Sequence, residues 1–222
     1  MKQNKKTLLA ALCALASFVL WTALLRLVDV REIGPLGSSV GLATLNQFFH
    51  MLTGVHMSLY LITDWLGLVP IFFAMGFAIQ GLIVWIKCKN LAKVDRSLLI
   101  LGGFYVAVIA LYLFFERVVV NYRPILINGY LEPSYPSSTT LLVLCVMPTA
   151  LMQLRPRIQH RLAKRIVTVS LLSFTAFTVI GRLISGVHWL TDIIGGTLLS
   201  TGLVLLYRFF TEIGKGHHGT IN

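Results

Sequence analysis

Charged residues are scarce in this sequence, and acidic residues are the scarcest among them. Only 12% of the 222 residues are charged, with 8 Asp and Glu against 19 Lys and Arg, while 56% are hydrophobic. Mean hydropathy is +0.81. Because soluble domains carry about 25% charged and about 45–50% apolar residues, this composition excludes an ordinary water-soluble domain. It indicates an integral membrane protein.

Cysteines and clustered metal ligands are scarce as well. Cys13, Cys88 and Cys145 fall within apolar runs or at their edges, which argues against a disulfide framework. No cluster of carboxylates is present in the sequence that could hold Mg²⁺. We therefore expect no metal and no other cofactor.

Long apolar runs, in contrast, occupy most of the chain. Each run is continuous rather than alternating, which favours helices over the strands of a membrane barrel. Six runs approach the roughly 20 residues that a spanning helix needs: 7–25, 67–86, 97–115, 138–154, 166–181 and 190–207. The sequence predicts an all-α integral membrane protein, a six-transmembrane-helix bundle in which residues 1–222 form a single membrane domain.

The first apolar run follows a basic start and could therefore be read as a signal peptide. It continues to Leu25, which is too long for a typical signal core. We interpret it as a retained membrane anchor.

The basic residues alternate between the two sides of the predicted bundle. With both termini in the cytoplasm, most of the 19 Lys and Arg fall on the cytoplasmic side, as the positive-inside rule expects. The opposite side receives only Arg26, Arg31, Arg117, Arg123 and Arg182. Topology and anionic lipid explain the positive net charge, so we expect the lipid bilayer as a partner and no nucleic acid.

Segment 26–66 is the least regular part of the chain. It is moderately apolar, with glycines and a proline near its start and aromatic residues near its end. We expect an extracytoplasmic segment with interfacial helices. His50, His56 and Asp64 lack the close spacing of metal ligands, and we interpret them as interfacial polar residues.

Three polar segments lie at the predicted external ends of the spans. They read ERVVVNYRP at 116–124, YPSSTT at 135–140 and GRLISGVHWLTD at 181–192. The topology that places them on one side follows from apolar runs and basic residues alone. Their coincidence therefore predicts a functional site on the extracytoplasmic face.

The third segment carries a histidine and a carboxylate with helical spacing. His188 and Asp192 are four residues apart, so on a helix they share one face. A carboxylate that accepts the proton of one ring nitrogen presents the other nitrogen as an oriented nucleophile. We therefore expect His188 and Asp192 to be catalytic.

Arginine and serine side chains in these segments suit a phosphoryl group. Arg123 and Arg182 can offer bidentate hydrogen bonds to the equatorial oxygens of the transition state. Ser137 and Ser138 stand just ahead of an apolar helix, whose free backbone N–H groups favour anions. We predict that these four residues bind the phosphate of the substrate.

The three segments resemble the motifs of the type-2 phosphatidic acid phosphatase superfamily, which shares its site with the vanadium haloperoxidases. The family patterns are K-x6-R-P, P-S-G-H and S-R-x5-H-x3-D. The matching residues are Arg123 and Pro124 in the first, Pro136 and Ser137 in the second, and Arg182, His188 and Asp192 in the third. The resemblance covers a phosphatase-like core at about 97–207 and implies a phosphohistidine intermediate on His188.

Two residues depart from the family patterns. Glu116 stands where the family has its Lys, and Thr139 stands where it has the His that protonates the leaving oxygen. Arg117 could replace the lost positive charge, although on a helix it points about 100° away from Glu116. Glu116 could pair with Arg117 or Arg123, or could donate a proton. These auxiliary roles stay open.

The missing histidine bears on the substrate. An alkoxide needs a proton in order to leave, whereas a lipid monophosphate leaves from a diphosphate as a stable anion. We therefore expect a multi-pass cell-membrane enzyme that hydrolyses a lipid phosphate, preferably a polyprenyl diphosphate. Loss of a general acid typically costs about 10²–10⁴ in rate. Two alternatives stay open: a non-catalytic lipid-phosphate binder or transporter, and a lipid phosphotransferase.

Overall fold

The computed structural model describes residues 2–90 and 93–216. Met1, Leu91, Ala92 and residues 217–222, which include both ends of the predicted single domain, lie outside the described residues. Within the described ranges the chain forms helices and turns without a β-strand. The helices are α1 (Lys2–Leu27), α2 (Ala43–Thr53), α3 (Met57–Leu66), α4 (Leu68–Cys88), α5 (Arg96–Arg117), α6 (Ser138–Arg157), α7 (Arg161–Ile184) and α8 (Leu190–Gly216), with a 3-10 turn at Pro35–Gly37.

Six helical stretches are long and apolar enough to cross a membrane. They are Asn4–Leu27, Met57–Cys88, Arg96–Arg117, Ser138–Arg157, Arg161–Ile184 and Leu190–Ile213. The predicted all-α, six-span architecture is therefore confirmed.

All six spans extend beyond the predicted runs, and the second and fifth do so most. The fifth, predicted at 166–181, covers Arg161–Ile184, because the helix includes a basic first turn that an apolar run leaves out. Long basic side chains can extend from a helix end into the interface. The second begins at Met57, because α3 leads into α4 with only Gly67 between them. The segment predicted at 26–66 thus contains two helices, α2 and α3.

Helix α6 lies at the centre of the bundle. It packs against α4, α5, α7 and α8, and 56% of its most apolar stretch is buried inside the protein. Val143, Val146 and Met147 of α6 form a buried cluster with Leu171 of α7. The other spans bury 39% or less of the corresponding stretch, which leaves most of their apolar surface for lipid. α6 is therefore the central helix against which the helices that carry the other polar segments pack.

The ends of four helices bring the three polar segments to one end of the bundle. α5 ends within the first segment, α6 begins within the second, and the third joins α7 to α8. The loop between α5 and α6 folds back on itself, because the N–H of Arg123 donates to the carbonyl of Glu132 and the N–H of Ser134 donates to that of Asn121, both at 3.0 Å. The first two segments therefore lie side by side next to the turn between α7 and α8.

Helix α3 packs against α7 so closely that no side chain fits at Gly181. A Cβ atom there would lie 2.7 Å from Cγ2 of Thr63. The hydroxyl of Thr63 donates to the carbonyl oxygens of Leu59 and Tyr60, at 2.9 Å and 3.0 Å. Because rotation of Thr63 would break these bonds, the contact holds α3 in place at the end of α7.

Gly181→Ala should lower the melting temperature of the detergent-solubilised protein, because overpacking of a tight contact costs about 1–3 kcal/mol. Gly76→Ala is the matched control. Gly76 lies in α4 with no atom within 4 Å of its Cβ position, so alanine there should leave stability unchanged or raise it. Equal melting temperatures for the two variants would contradict the close packing of α3 on α7.

Candidate active site

His188 and Asp192 meet at the junction of α7 and α8. His188 lies in the turn before α8 begins, and Asp192 lies in the first turn of that helix. Nδ1 of His188 is 3.5 Å from Oδ2 of Asp192, and the same oxygen accepts the N–H of Trp189 at 2.9 Å. The structure thus brings the expected pair together, although across the start of a helix rather than along one.

Arg182 approaches the other ring nitrogen of His188. Its Nη2 lies 3.3 Å from Nε2 of the imidazole. Because a guanidinium can only donate hydrogen bonds, Nε2 carries the lone pair and Nδ1 carries the proton, 3.5 Å from Oδ2 of Asp192. The Arg182 side chain is 1% exposed, and its Nε has no hydrogen-bond partner among the described residues. A nucleophilic nitrogen and a buried cation with a free donor therefore lie side by side.

Arg123 supplies a second buried guanidinium. Its Nε lies 3.0 Å from Oε2 of Glu132, while Nη1 is buried without a partner in the part of the chain that the structure describes. The ring of Tyr60, on α3, lies 5.8 Å from the guanidinium carbon of Arg123 and 4.9 Å from that of Arg182. Two cations beside one ring repel each other, so this position favours an anion between them.

Ser137 joins the start of α6 to the start of α8. Its N–H donates to the carbonyl of Asp192 at 3.2 Å, and its buried Oγ has no partner within the described ranges. Ser138 and Thr139 lie in the first turn of α6, where backbone N–H groups lack an intrahelical acceptor. The helix start therefore adds donors for an anion beside the two guanidinium groups.

The imidazole of His188 is held in its neutral form. Burial lowers the pKa of His188 well below its ordinary value of 6.5, and the positive charges of Arg123 and Arg182 lower it further. The backbone carbonyl of Ser134 acts in the opposite direction but does not reverse the shift. His188 can therefore act as a nucleophile at neutral pH.

Glu116 and Arg117 lie at the rim of the site rather than inside it. Both are exposed at the end of α5, and Glu116 lines a small hollow together with His188 and Ser138. Arg123 pairs with Glu132, and no ion pair involving Glu116 or Arg117 occurs in residues 2–90 and 93–216. The structure thus favours neither pairing considered for Glu116.

Asp64 is a site residue that the sequence did not predict. Its Oδ1 lies 3.4 Å from Nη1 of Arg182, and it lines an apolar cavity together with Thr139. Only the packing of α3 on α7 brings it there, and no spacing in the sequence relates it to the three motifs. The available signal was a carboxylate in a strongly apolar stretch, a position where charge is costly and usually functional.

Two buried asparagines support the site from outside the motifs. Asn46 of α2 donates to Oγ1 of Thr191 at 2.9 Å and accepts the N–H of Thr191 at 3.2 Å, which fixes the start of α8. Asn121 accepts the N–H of Gly41 at 3.3 Å through its side chain. Single asparagines carry no recognisable pattern, so neither contact could be predicted from the sequence.

A known family model matches the second half of the chain. The model is described as PAP2 superfamily, and it matches residues 99–214, just over half of the protein. The chain belongs to the PAP2 superfamily. The resemblance inferred from the three motifs is thereby confirmed. No curated protein sequence matches this one significantly.

A solved PAP2 structure shares the fold. It is described as the crystal structure of the first transmembrane PAP2 type phosphatidylglycerolphosphate phosphatase, from Bacillus subtilis, and it matches with a TM-score of 0.59. The match covers 92% of this chain and 96% of that chain at 19% sequence identity. The likeness shows that the bundle is a transmembrane PAP2 fold. Family and fold together support phosphatase activity on a membrane lipid phosphate.

The acid limb of the kcat/KM profile should lie below pH 6.5, because the lowered pKa of His188 keeps its imidazole neutral at more acidic pH than usual. Arg123→Gln removes a positive charge near His188, so the pKa of His188 should rise and the acid limb should move to higher pH. Arg208→Gln, which alters an exposed arginine paired with Glu212, is the control and should leave the limb in place. A limb that stays still or moves lower in Arg123→Gln would contradict the electrostatic coupling.

Proposed function

We propose that this PAP2 protein is a lipid phosphatase that transfers the terminal phosphate of its substrate to His188 and then to water. The observation that carries this assignment is a set of buried donors without partners among the described residues: Nη1 of Arg123, Nε of Arg182 and Oγ of Ser137. A buried charge left unsatisfied costs several kcal/mol. A phosphoryl group on Nε2 of His188 could accept from all three.

In the first step, the lone pair on Nε2 of His188 attacks phosphorus. The bond between phosphorus and the lipid oxygen breaks, and its electron pair leaves with the lipid. Asp192 holds the imidazole in the reactive tautomer and stabilises the positive charge that develops on the ring. Arg123 and Arg182 stabilise the equatorial oxygens of the transition state. Water then attacks the phosphohistidine, and the electron pair of the N–P bond returns to Nε2.

An apolar cavity beside the site suits the hydrocarbon tail of a lipid. It has a volume of about 860 Å³ and is lined mainly by apolar side chains of α4, α5 and α6. Along α5 it extends from Leu98 to Leu113, roughly 23 Å at 1.5 Å per residue, against about 30 Å for the hydrocarbon core of a bilayer. Asp64, Ser138 and Thr139 line it at the end nearest the motifs. A lipid with its tail in this cavity would present its phosphate to the buried donors.

Within this class we favour lipid diphosphates, and polyprenyl diphosphates in particular. Thr139 occupies the place of the proton-donating histidine in the family pattern and offers only a hydroxyl group. A lipid monophosphate can leave from a diphosphate as a stable anion without receiving a proton. A monoester must release an alkoxide and therefore depends more on the missing acid.

We also propose that the site lies on the extracytoplasmic side of the cell membrane. The support is the distribution of basic residues along the bundle. The helix ends remote from the site carry Lys87, Arg96, Arg155 and Arg161, and an excess of Lys and Arg is typical of cytoplasmic ends.

Gly102→Phe should raise the KM for long-chain lipid phosphates more than for short-chain analogues. Gly102 lines the cavity and has open space at its Cβ position, so a phenyl ring there would occupy the volume assigned to the tail. Gly103→Phe is the matched control, because Gly103 also has open space but is not among the cavity-lining residues. Equal effects of the two variants, or a loss independent of chain length, would count against the tail site.

Phosphate release by the purified protein from a polyprenyl diphosphate and from phosphatidate tests the function and the substrate class together. We expect both activities to require His188 and the diphosphate to be preferred. Thr139→His should raise phosphatidate hydrolysis by up to about 10²–10⁴, the usual contribution of a general acid, and diphosphate hydrolysis far less. Equal stimulation would show that leaving-group chemistry does not set the preference.

Thr139 also favours an alternative function. In this alternative, the protein binds a lipid phosphate without hydrolysing it. It predicts that the wild-type protein binds vanadate or a lipid phosphate but releases no inorganic phosphate in the same assay. A lipid phosphotransferase would instead show the phosphate on an added sugar or lipid acceptor.

A further inference from the structure

We propose that Asp64 is the general base that activates the water which hydrolyses the phosphohistidine. The role rests on the proposed function, because it concerns the second step of that reaction. Asp64 lies on α3, outside the three motifs and outside the residues 99–214 that the family model matches. The site would then include a catalytic residue from the first third of the chain.

The position of Asp64 relative to the nucleophile supports this role. Nη2 of Arg182 is 3.3 Å from Nε2 of His188, and Nη1 of the same guanidinium is 3.4 Å from Oδ1 of Asp64. The guanidinium of Arg182 therefore lies between the carboxylate of Asp64 and the nucleophilic nitrogen of His188. A phosphoryl group on Nε2 that is held by Arg182 would lie beside Asp64.

The side from which water must attack phosphorus also supports this role of Asp64. Attack on phosphorus is in line, so the water arrives opposite Nε2, where the lipid has just departed. The tail cavity marks that side, and Asp64 lines it together with Ser138 and Thr139. The side chain of Asp64 is 53% exposed, which allows water to enter and a proton to leave.

The other acidic groups near the site are less well placed. Asp192 is fully buried and faces Nδ1, on the nucleophile's own side. Glu132 pairs with Arg123 and does not line the tail cavity. Glu116 lines only the small hollow at the rim. The hydroxyl of Thr139 cannot take up a proton at neutral pH, so it cannot replace a base.

The second step then consumes one water and releases one inorganic phosphate. The oxygen of water attacks phosphorus, and one of its protons passes to the carboxylate of Asp64. The N–P bond breaks and its electron pair returns to Nε2 of His188, which regenerates the neutral imidazole. Inorganic phosphate leaves, and Asp64 releases its proton to solvent. A lipid diphosphate needs no acid in the first step, so a group that acts only as a base in the second step is sufficient.

Rapid-quench kinetics with a polyprenyl diphosphate labelled in its terminal phosphate test this role in the full-length protein. Asp64→Asn should release one equivalent of lipid monophosphate in a burst, while the label remains on His188. Steady-state turnover should fall by about 10²–10⁴, the usual effect of losing a general base, and the burst rate should change far less. Added formate should partly restore release of the label by acting as a small external base.

Glu132→Gln is the matched control, because it breaks the other arginine–carboxylate pair of the site without removing the proposed base. It should slow phosphorylation without accumulation of labelled protein.

Slow turnover of Asp64→Asn without a labelled intermediate would overturn the role and leave Asp64 as a group that positions Arg182. Accumulation in Glu116→Gln instead would assign the base to Glu116. A wild-type protein that forms no labelled intermediate and no lipid product would overturn the proposed function itself.

Discussion

The site depends on two buried guanidinium groups that lie beside one neutral histidine. Arg182 is 1% exposed and Arg123 is 8% exposed, and charges at such positions are costly unless they are paired and hydrogen-bonded. Asp64 and Glu132 offset part of their charge. The donors that stay free, together with the buried hydroxyl of Ser137, explain why the site suits a phosphoryl group. The same charges help to keep His188 unprotonated and nucleophilic.

The first third of the chain completes this arrangement, although the matched family region begins only at residue 99. Helix α3 contributes Tyr60 beside both guanidinium groups and Asp64 beside Arg182. Helix α2 contributes Asn46, which bonds to Thr191 at the start of α8, one residue before Asp192. The close contact between Gly181 and Thr63 holds α3 in the position that these contacts require. The segment between the first and second spans is therefore part of the site.

Apolar runs and spaced motifs were enough to predict the six spans and the residues that meet at the site, because both signals are local or periodic. Arg182, His188 and Asp192 lie within eleven residues of one another, and their spacing survives in the turn between α7 and α8. Asp64 and Asn46 were beyond the reach of such reasoning. Each is a single polar residue whose partner lies more than 100 positions away, and only packing of the helices brings the partners together. The start of the fifth span was misplaced because its first turn is basic.

The proposed mechanism depends on transfer of phosphate to His188, and the decisive measurement is peptide mapping of the wild-type protein quenched during turnover of a terminally labelled polyprenyl diphosphate. We predict an acid-labile label on the peptide that contains His188, formed as fast as lipid monophosphate is released and absent from the His188→Ala variant. Turnover without labelled protein, or a label on any other residue, would contradict it.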